Sequence, residues 1–471
     1  MTYILEQINS VLSGIAVPLL LVTIGLFYGF KLKFFHILKP RLVIGGMRSE
    51  KRSGGISSGK AVCLALAGTL GVGNIVGVSS AIYLGGFGAV FWMWVSALVA
   101  MILKYAEIVL AMRYRKWDSE GRPYGAAMLY IKAFFESHRL KKIGNAVAAV
   151  FAVSFLLNAL TMGSMLQANA ISDAVSGVFG ISPLLVGGIL CLLTFIMLRR
   201  GSGGMASLTE ILVPVMSIGY IVMSIAVIIG NAGDVADAFN LIFSSAFTPS
   251  SAVGGIGGYI FTSSVRYGVM RGLVSNEAGC GTAPTAHAIA DCKLPAKQGM
   301  WGIFEVFADT IVLCTMTALC VILNYDAALE YGGNYMMMTV AAYARSLGNF
   351  AAVFISISVV CFGFATIVCW AHYGTVSAKY FGDKKWIGAL FSAVYCGCVA
   401  VGCVVSADTA WQLADLAMGV MTVINLCVIT GMWKEVKEES DLFFSSLSFR
   451  GSFRENKIGH KKSNKNKSYG A

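Results

Sequence analysis

Two stretches of this sequence combine residues that interrupt a helix with residues that bind small polar solutes. The first reads Ala67-Gly68-Thr69-Leu70-Gly71-Val72-Gly73-Asn74-Ile75-Val76-Gly77. Each glycine costs a helix about 1 kcal/mol relative to alanine, so the chain is expected to unwind here and free backbone amides and carbonyls. The second reads Ser275-Asn276-Glu277-Ala278-Gly279-Cys280-Gly281-Thr282-Ala283-Pro284, where proline removes one backbone donor and the glycines relax the chain. Asn74 adds an amide at the first break, and Gln167, alone in an apolar run, is costly to bury unless it is paired. Thr366 and Trp370, four residues apart, would share one helix face. None of these is a nucleophile beside a base. His287 and Asp291 have i, i+4 spacing but no third or fourth ligand for a metal. The chemistry these residues suit is recognition: amide donors for a carboxylate, neutral acceptors for an ammonium group, and hydroxyl and carbonyl oxygens for a hard cation.

Ionisable residues in the same apolar segments are Lys104, Glu107, Arg266, Arg271, Glu277, Glu305, Asp309 and Asp415. Within a membrane such groups are functional candidates by default. Lys104 and Glu107, three residues apart, are expected to pair with each other on one helix. Glu277, at the second break beside Arg271, suits gating and loop stabilisation equally.

The elements that must position these residues follow from composition. The chain has 57% hydrophobic and 13% charged residues, where soluble proteins carry roughly a quarter charged residues. It is expected to be an all-α integral membrane protein. A bilayer core of roughly 30 Å needs about 20 apolar residues per helix. Windows of that length place about 11 transmembrane helices near 11–30, 60–84, 88–112, 145–172, 182–198, 209–230, 255–288, 299–323, 350–378, 387–405 and 410–433. The first has neither a basic leader nor a small-residue cleavage site and reads as a helix that stays. The cysteines in these runs lack metal or redox spacing and read as packing residues.

The formal net charge is +12, and all but four of the 36 Lys and Arg fall in alternate connecting segments or the tail. The exceptions are Lys104, Arg266, Arg271 and Arg345. This asymmetry puts the amino terminus outside and the carboxy terminus inside, and it explains the positive charge without nucleic acid. The expected organisation is an amino-terminal helix with a basic loop (1–57), a five-helix unit (58–230) broken near 68–77, a second five-helix unit (231–433) broken near 275–284, and a basic, disordered cytoplasmic tail (434–471) that could meet lipid headgroups. Each break falls in the first helix of its unit. Matched interruptions in two halves of opposite orientation point to an inverted-repeat transporter.

At these two segments the sequence resembles the alanine or glycine:cation symporter family, also called the sodium:alanine symporters. Ala65 to Thr69, Gly73-Asn74-Ile75 and Gly88 to Trp94 are similar to one family signature, and Ser275 to Gly279 with Ala283-Pro284 and Ala286-His287 to another. Weaker echoes are Met165 to Asn169, Thr366 with Trp370, and Trp411 to Asp415. The resemblance covers nearly the whole chain. It implies a leucine-transporter-type 5+5 inverted repeat preceded by one extra helix, coupling sodium, or in some members protons, to uptake of alanine or glycine across a bacterial cytoplasmic membrane. Carried over by position, the substrate would meet Asn74, Gln167, Thr366 and Trp370 with backbone of Gly71, Val72, Gly73, Gly279, Cys280 and Gly281. Sodium, the transported ion, would lie near Gly68, Thr69, Gly71 and Thr366, and no cofactor is implied. Val72, Ser164, Cys280 and Thr282 depart from the family's usual threonine, asparagine, leucine and serine, which bears on the choice of amino acid rather than on the class. A membrane-embedded enzyme lacks its catalytic residues here. A channel or an amino acid sensor are the other readings, and a sensor would want a sizeable soluble domain.

Overall fold

The structure is a computed structural model that describes residues 2–47, 56–117, 121, 123–247, 256–382 and 384–446. With no water in lipid to satisfy a free amide, an apolar chain closes its hydrogen bonds within each helix. In chain order the helices that frame the bundle and its breaks are α1 (Gln7–Lys31), α2 (Ser58–Thr69), α3 (Val76–Gly85), α4 (Gly88–Arg113), α5 (Ala127–Ser137), α6 (Lys141–Phe179), α7 (Pro183–Gly230) and α8 (Val235–Phe247). There follow α9 (Ile256–Asn276), α10 (Ala283–His287), α11 (Pro295–Leu323), α12 (Tyr335–Leu347), α13 (Asn349–Lys379), α14 (Lys385–Gly402), α15 (Ala410–Gly431) and α16 (433–446). Among the described residues the only strands form a two-residue hairpin, Lys116–Trp117 against Pro123–Tyr124.

Among the described residues, eight helices are long and apolar enough to cross a membrane, nine if the bent pair α2 and α3 is one span. Two features separate this from the expected eleven. At about 1.5 Å per residue, α7 with its 48 residues runs about 72 Å, more than twice a bilayer core, and it is interrupted at Gly201, whose φ of 68° and ψ of −174° are not helical. The second feature is α9, whose arginines and glycines dilute its apolar character before it stops short at Asn276.

Helix α4 is buried along most of its length and packs against α9 and α11, while α13 packs against α2, α6 and α7. These inner helices hold the polar residues. The outer face of α7 presents Leu184, Leu185, Ile189, Leu192, Ile211, Val215 and Ile218 outward, as a surface facing lipid requires.

Two expectations need correction. The tail, read as disordered from 434, continues as helix to 446, because Val436, Ser440 and Phe443 form a buried face. Tyr105 shares a hydrogen bond of 2.6 Å with Ser440, Phe35 meets Phe444 edge to face, and Arg113 pairs with Glu435, Glu438 and Glu439. Residues 447–471 lie outside the described residues. The second correction concerns Lys104 and Glu107, which do not pair locally. Both point into the core toward different partners, as described below.

Candidate functional site

The first break lies between α2 and α3, which are bent by 55° relative to each other. Helix α2 ends at Thr69, Leu70 leaves helical geometry, a single turn of 3-10 helix covers Val72–Asn74, and α3 begins at Val76. The freed Val72 amide donates to Gln167 Oε1 at 3.1 Å, and Gln167 Nε2 donates to Met162 O at 3.1 Å. That carbonyl is exposed by a turn of π-helix, Thr161–Met165, in the middle of α6. Gly71 is required by close approach: a Cβ there would stand 2.6 Å from Thr366 Oγ1 and 2.8 Å from Gln167 Oε1. Gly68 similarly lets α2 approach Cys369 and Tyr373 of α13. Gly73 faces the second break, where an added Cβ would sit in ordinary contact, 3.5 Å from Ser275 Cα and Val274 O.

The second break, between α9 and α10, places Glu277, Gly279 and Gly281 at φ of 53°, 91° and 78°. Glycine tolerates this region, whereas Glu277 occupies it at a cost and is held by its side chain. Its carboxylate accepts from Thr282 Oγ1 at 2.7 Å and from Trp370 Nε1 at 3.2 Å. Gly281 N donates to Glu107 Oε1 at 2.9 Å, Asn425 Nδ2 donates to Gly279 O at 2.9 Å and to Glu107, and Tyr130 donates to Asn425. Cys280 Sγ accepts from Thr422 Oγ1.

Thr366 and Trp370 therefore serve different breaks. Thr366 Oγ1 reaches Ala67 O at 2.8 Å, next to the first, and Trp370 holds Glu277 in the second. The fully buried indole of Trp370 packs edge to face on Phe155 and Tyr373, and its Cβ lies where a Cβ on Gly163 would collide. Thr69 hydrogen bonds back along α2 and lies 3.3 Å from Glu305 Oε1. Ser164 donates within its own helix, to Leu160 O.

Asn74 leads to residues whose roles the sequence left open. Its Nδ2 donates to Asp309 Oδ1 at 2.7 Å, while its Oδ1 is buried and has no hydrogen-bond partner among the described residues. Ser275 Oγ and Thr310 Oγ1 both donate to Asp309 Oδ2, at 2.6 and 2.8 Å. Asn276 Nδ2 then reaches Thr310. Asp309 and Thr310 lie in a second π-helical stretch, Phe307–Cys314 of α11. The signal in the sequence was an acidic residue in an apolar run. Its partners, more than thirty positions away in α9 and more than two hundred in the first break, could not be read there.

The remaining charges converge on the ends of the half-helices. Lys104 Nζ donates to Glu305 Oε1 at 2.6 Å and to Asn276 O at 2.7 Å, the carbonyl at which α9 stops. Glu305 Oε2 accepts from His287 Nε2 at 3.0 Å. Arg271 lies over the Trp411 ring at 4.5 Å instead of engaging Glu277. Counting described side chains buried in this core, Glu107, Glu277, Glu305 and Asp309 face one lysine, Lys104. Each of the other three carboxylates is held by neutral donors instead, Glu107 by Gly281 N and Asn425, Glu277 by Thr282 and Trp370, and Asp309 by Asn74, Ser275 and Thr310. No group of three or more His, Cys, Asp or Glu that could hold a metal ion occurs among the described residues.

The profile of the sodium:alanine symporter family matches residues 1–452. A sodium/alanine symporter of Methanococcus maripaludis is 34% identical over 90% of this chain and 93% of its own length. A probable sodium/glutamine symporter of Bacillus subtilis is 32% identical over 91% of this chain and 88% of its own. Among solved structures, a mutant of the Eremococcus coleocola manganese transporter matches with a TM-score of 0.52 over 80% of this chain and 78% of that one. At 12% identity, that likeness concerns the fold alone.

Proposed function

The chain belongs to the sodium:alanine symporter family, and from that premise we propose that it carries a small neutral amino acid, alanine or glycine, together with sodium by alternating access. The observation that carries the cation coupling is the excess of carboxylates over lysine in the buried core. Neutral Asn74, Gln167 and Thr366 with the opened backbone of Gly71 to Gly73 and Gly279 to Gly281 suit a zwitterion. The close approach at Gly71 and the wall formed by Trp370 favour a short side chain.

Sodium prefers oxygen ligands. Asn74 Oδ1, the Asp309 carboxylate and the Ser275 and Thr310 hydroxyls would supply such a set beside the substrate. Thr366 with the Ala67 carbonyl and the backbone near Gly68 and Gly71 would supply another. Thr69, engaged with Glu305 and its own helix, contributes less to this second set.

In this reading α7 is two spans joined at Gly201, and α9 with α10 is one broken span. With α1 outside the repeat, the count is eleven in a 5+5 arrangement. The distribution of Lys and Arg supports an outside amino terminus in a bacterial cytoplasmic membrane.

The test is uptake of radiolabelled amino acid by purified protein in liposomes, with and without an inward sodium gradient. Alanine or glycine uptake should be stimulated by sodium, with weak competition from serine, because one methylene is worth only about 1–3 kcal/mol in such a pocket. Glutamine belongs in the competition panel, since one relative is named for it. Strong competition by glutamate or lysine, with none by alanine, glycine or serine, would overturn this reading of the pocket.

A further inference from the structure

The half-helices α2 and α10 are tied to each other where they leave the bundle. Ile56, two residues ahead of α2, and Ala290, three residues beyond α10, form an isolated parallel bridge. The Asp291 amide donates to Ile56 O at 2.7 Å. Arg115, just past the end of α4, closes the same junction. Its Nη1 donates to Ala290 O at 2.8 Å and its Nη2 to Cys292 O at 2.9 Å, while its Cζ lies 5.3 Å from the centre of the Trp117 ring. Gly125 lets the returning chain press on this turn, since a Cβ there would stand 2.5 Å from the Ala288 Cβ.

The form of this tie suits a contact that is made and broken. A lasting strand pair runs as a ladder of bonds, whereas here a single bridge is reinforced by one side chain. The planar guanidinium reaches two carbonyls at once, which the point charge of a lysine does less well. So the start of α2, the turn after α10 and the end of α4 depend on one arginine to stay together.

Unpaired polar atoms beside α10 agree with this. Thr285 Oγ1 on α10, Gln298 Oε1 on α11 and His372 Nε2 on α13 are buried without a partner among the described residues. Gln298 bonds His287 at the end of α10, and His372 faces the Thr285 backbone. Native proteins seldom leave such atoms unpaired. A second arrangement, in which the end of α10 parts from α2, would let water pair them.

We propose that the bridge at Ile56 and Ala290, pinned by Arg115, is a strap that closes the passage between α2 and α10 on the side rich in Lys and Arg, and that each transport cycle opens it. All three segments belong to connecting stretches that carry most of the chain's Lys and Arg. The need to open rests on the transport function proposed above; the tie itself does not.

Ile56→Cys combined with Ala290→Cys in the full chain places two thiols across the bridge. Copper phenanthroline should join them as a disulfide, taking one hydrogen from each, and peptide mass spectrometry identifies the link among the native cysteines. In liposomes the linked protein should lose amino acid uptake by about tenfold or more. Dithiothreitol should restore it, and each single-cysteine variant treated alike should keep it. A linked protein that carries amino acid normally overturns the strap, because a tie that need not open is only structural. Failure of the two thiols to link overturns the bridge. Hydrogen exchange on the purified protein tests Arg115 without a cross-link. Arg115→Ala should speed exchange at the Asp291 amide by about tenfold and leave the centre of α4 unchanged, with Arg115→Lys between the two. Unchanged exchange at Asp291, or faster exchange throughout α4, overturns the role of Arg115. No uptake by the unmodified protein would instead count against the proposed transport function, and the exchange result then decides whether the strap exists.

Discussion

Two glycines at the first break separate what is required by space from what only breaks a helix. A methyl group at Gly71 would overlap the polar ends of Thr366 and Gln167, which are hydrogen-bonded to Ala67 O and the Val72 amide, whereas at Gly73 it would meet the second break at ordinary contact distance. Gly71→Ala should therefore lower uptake by about tenfold or more, and Gly73→Ala should leave it nearly intact, as measured in liposomes at matched protein. Equal loss in both would mean that the break depends on flexibility rather than clearance. Asn74→Ala and Asp309→Asn should weaken the dependence on sodium more than they reduce expression. That outcome is checked by the sodium concentration giving half-maximal uptake; an unchanged value in both would remove sodium from that position.

At the scale of elements, the half-helices are tied by buried charge. Lys104 bridges Glu305 of α11 and the end of α9 from the centre of α4. Removing one partner of such a pair leaves the other charge buried and costs about 3–5 kcal/mol. Lys104→Met should lower thermal stability in detergent markedly, and adding Glu305→Leu should restore part of it. A double variant less stable than the single one would show that the pair itself is stabilising. The π-helical stretches Thr161–Met165 and Phe307–Cys314 each re-aim a helix where a carbonyl or carboxylate is needed, in keeping with the frequent appearance of such bulges at functional sites.

At the scale of the molecule, the charge asymmetry predicts which face is which. Impermeant thiol reagents added to intact cells should reach cysteines engineered near Asp234 and Asp326 but not near Lys384, and labelling near Lys384 from outside would reverse the topology. The helix α16 under the bundle gives a second test. Arg113 is partly exposed beside its three glutamates, so Arg113→Ala should change thermal stability by no more than about 1 kcal/mol. Phe443→Ala, from a buried position, should cost about 3–5 kcal/mol. A small effect of Phe443→Ala would mean that α16 packs only loosely.

By itself the sequence determined the solvent of this protein, the helical class, the two breaks and the kinds of side chain near them. Those properties follow from local composition and from the spacing of apolar residues, which act within a turn or two of the chain. The glycines near 71 and 279 mark the breaks wherever the helices pack. Partnership was decided only by the tertiary structure. Lys104, three residues from Glu107, binds Glu305 two hundred residues away, because the buried direction of α4 faces α11 and each charge must find a partner where water is absent. Asp309 joins Asn74 and Ser275 for the same reason, and His287 meets Glu305 and Gln298 only because α10 stops beside α11. The helix at 433–446 was hidden by a strongly basic tail whose composition suggested disorder. Its burial depends on contacts far away in the chain, with Tyr105 of α4 and with Phe35.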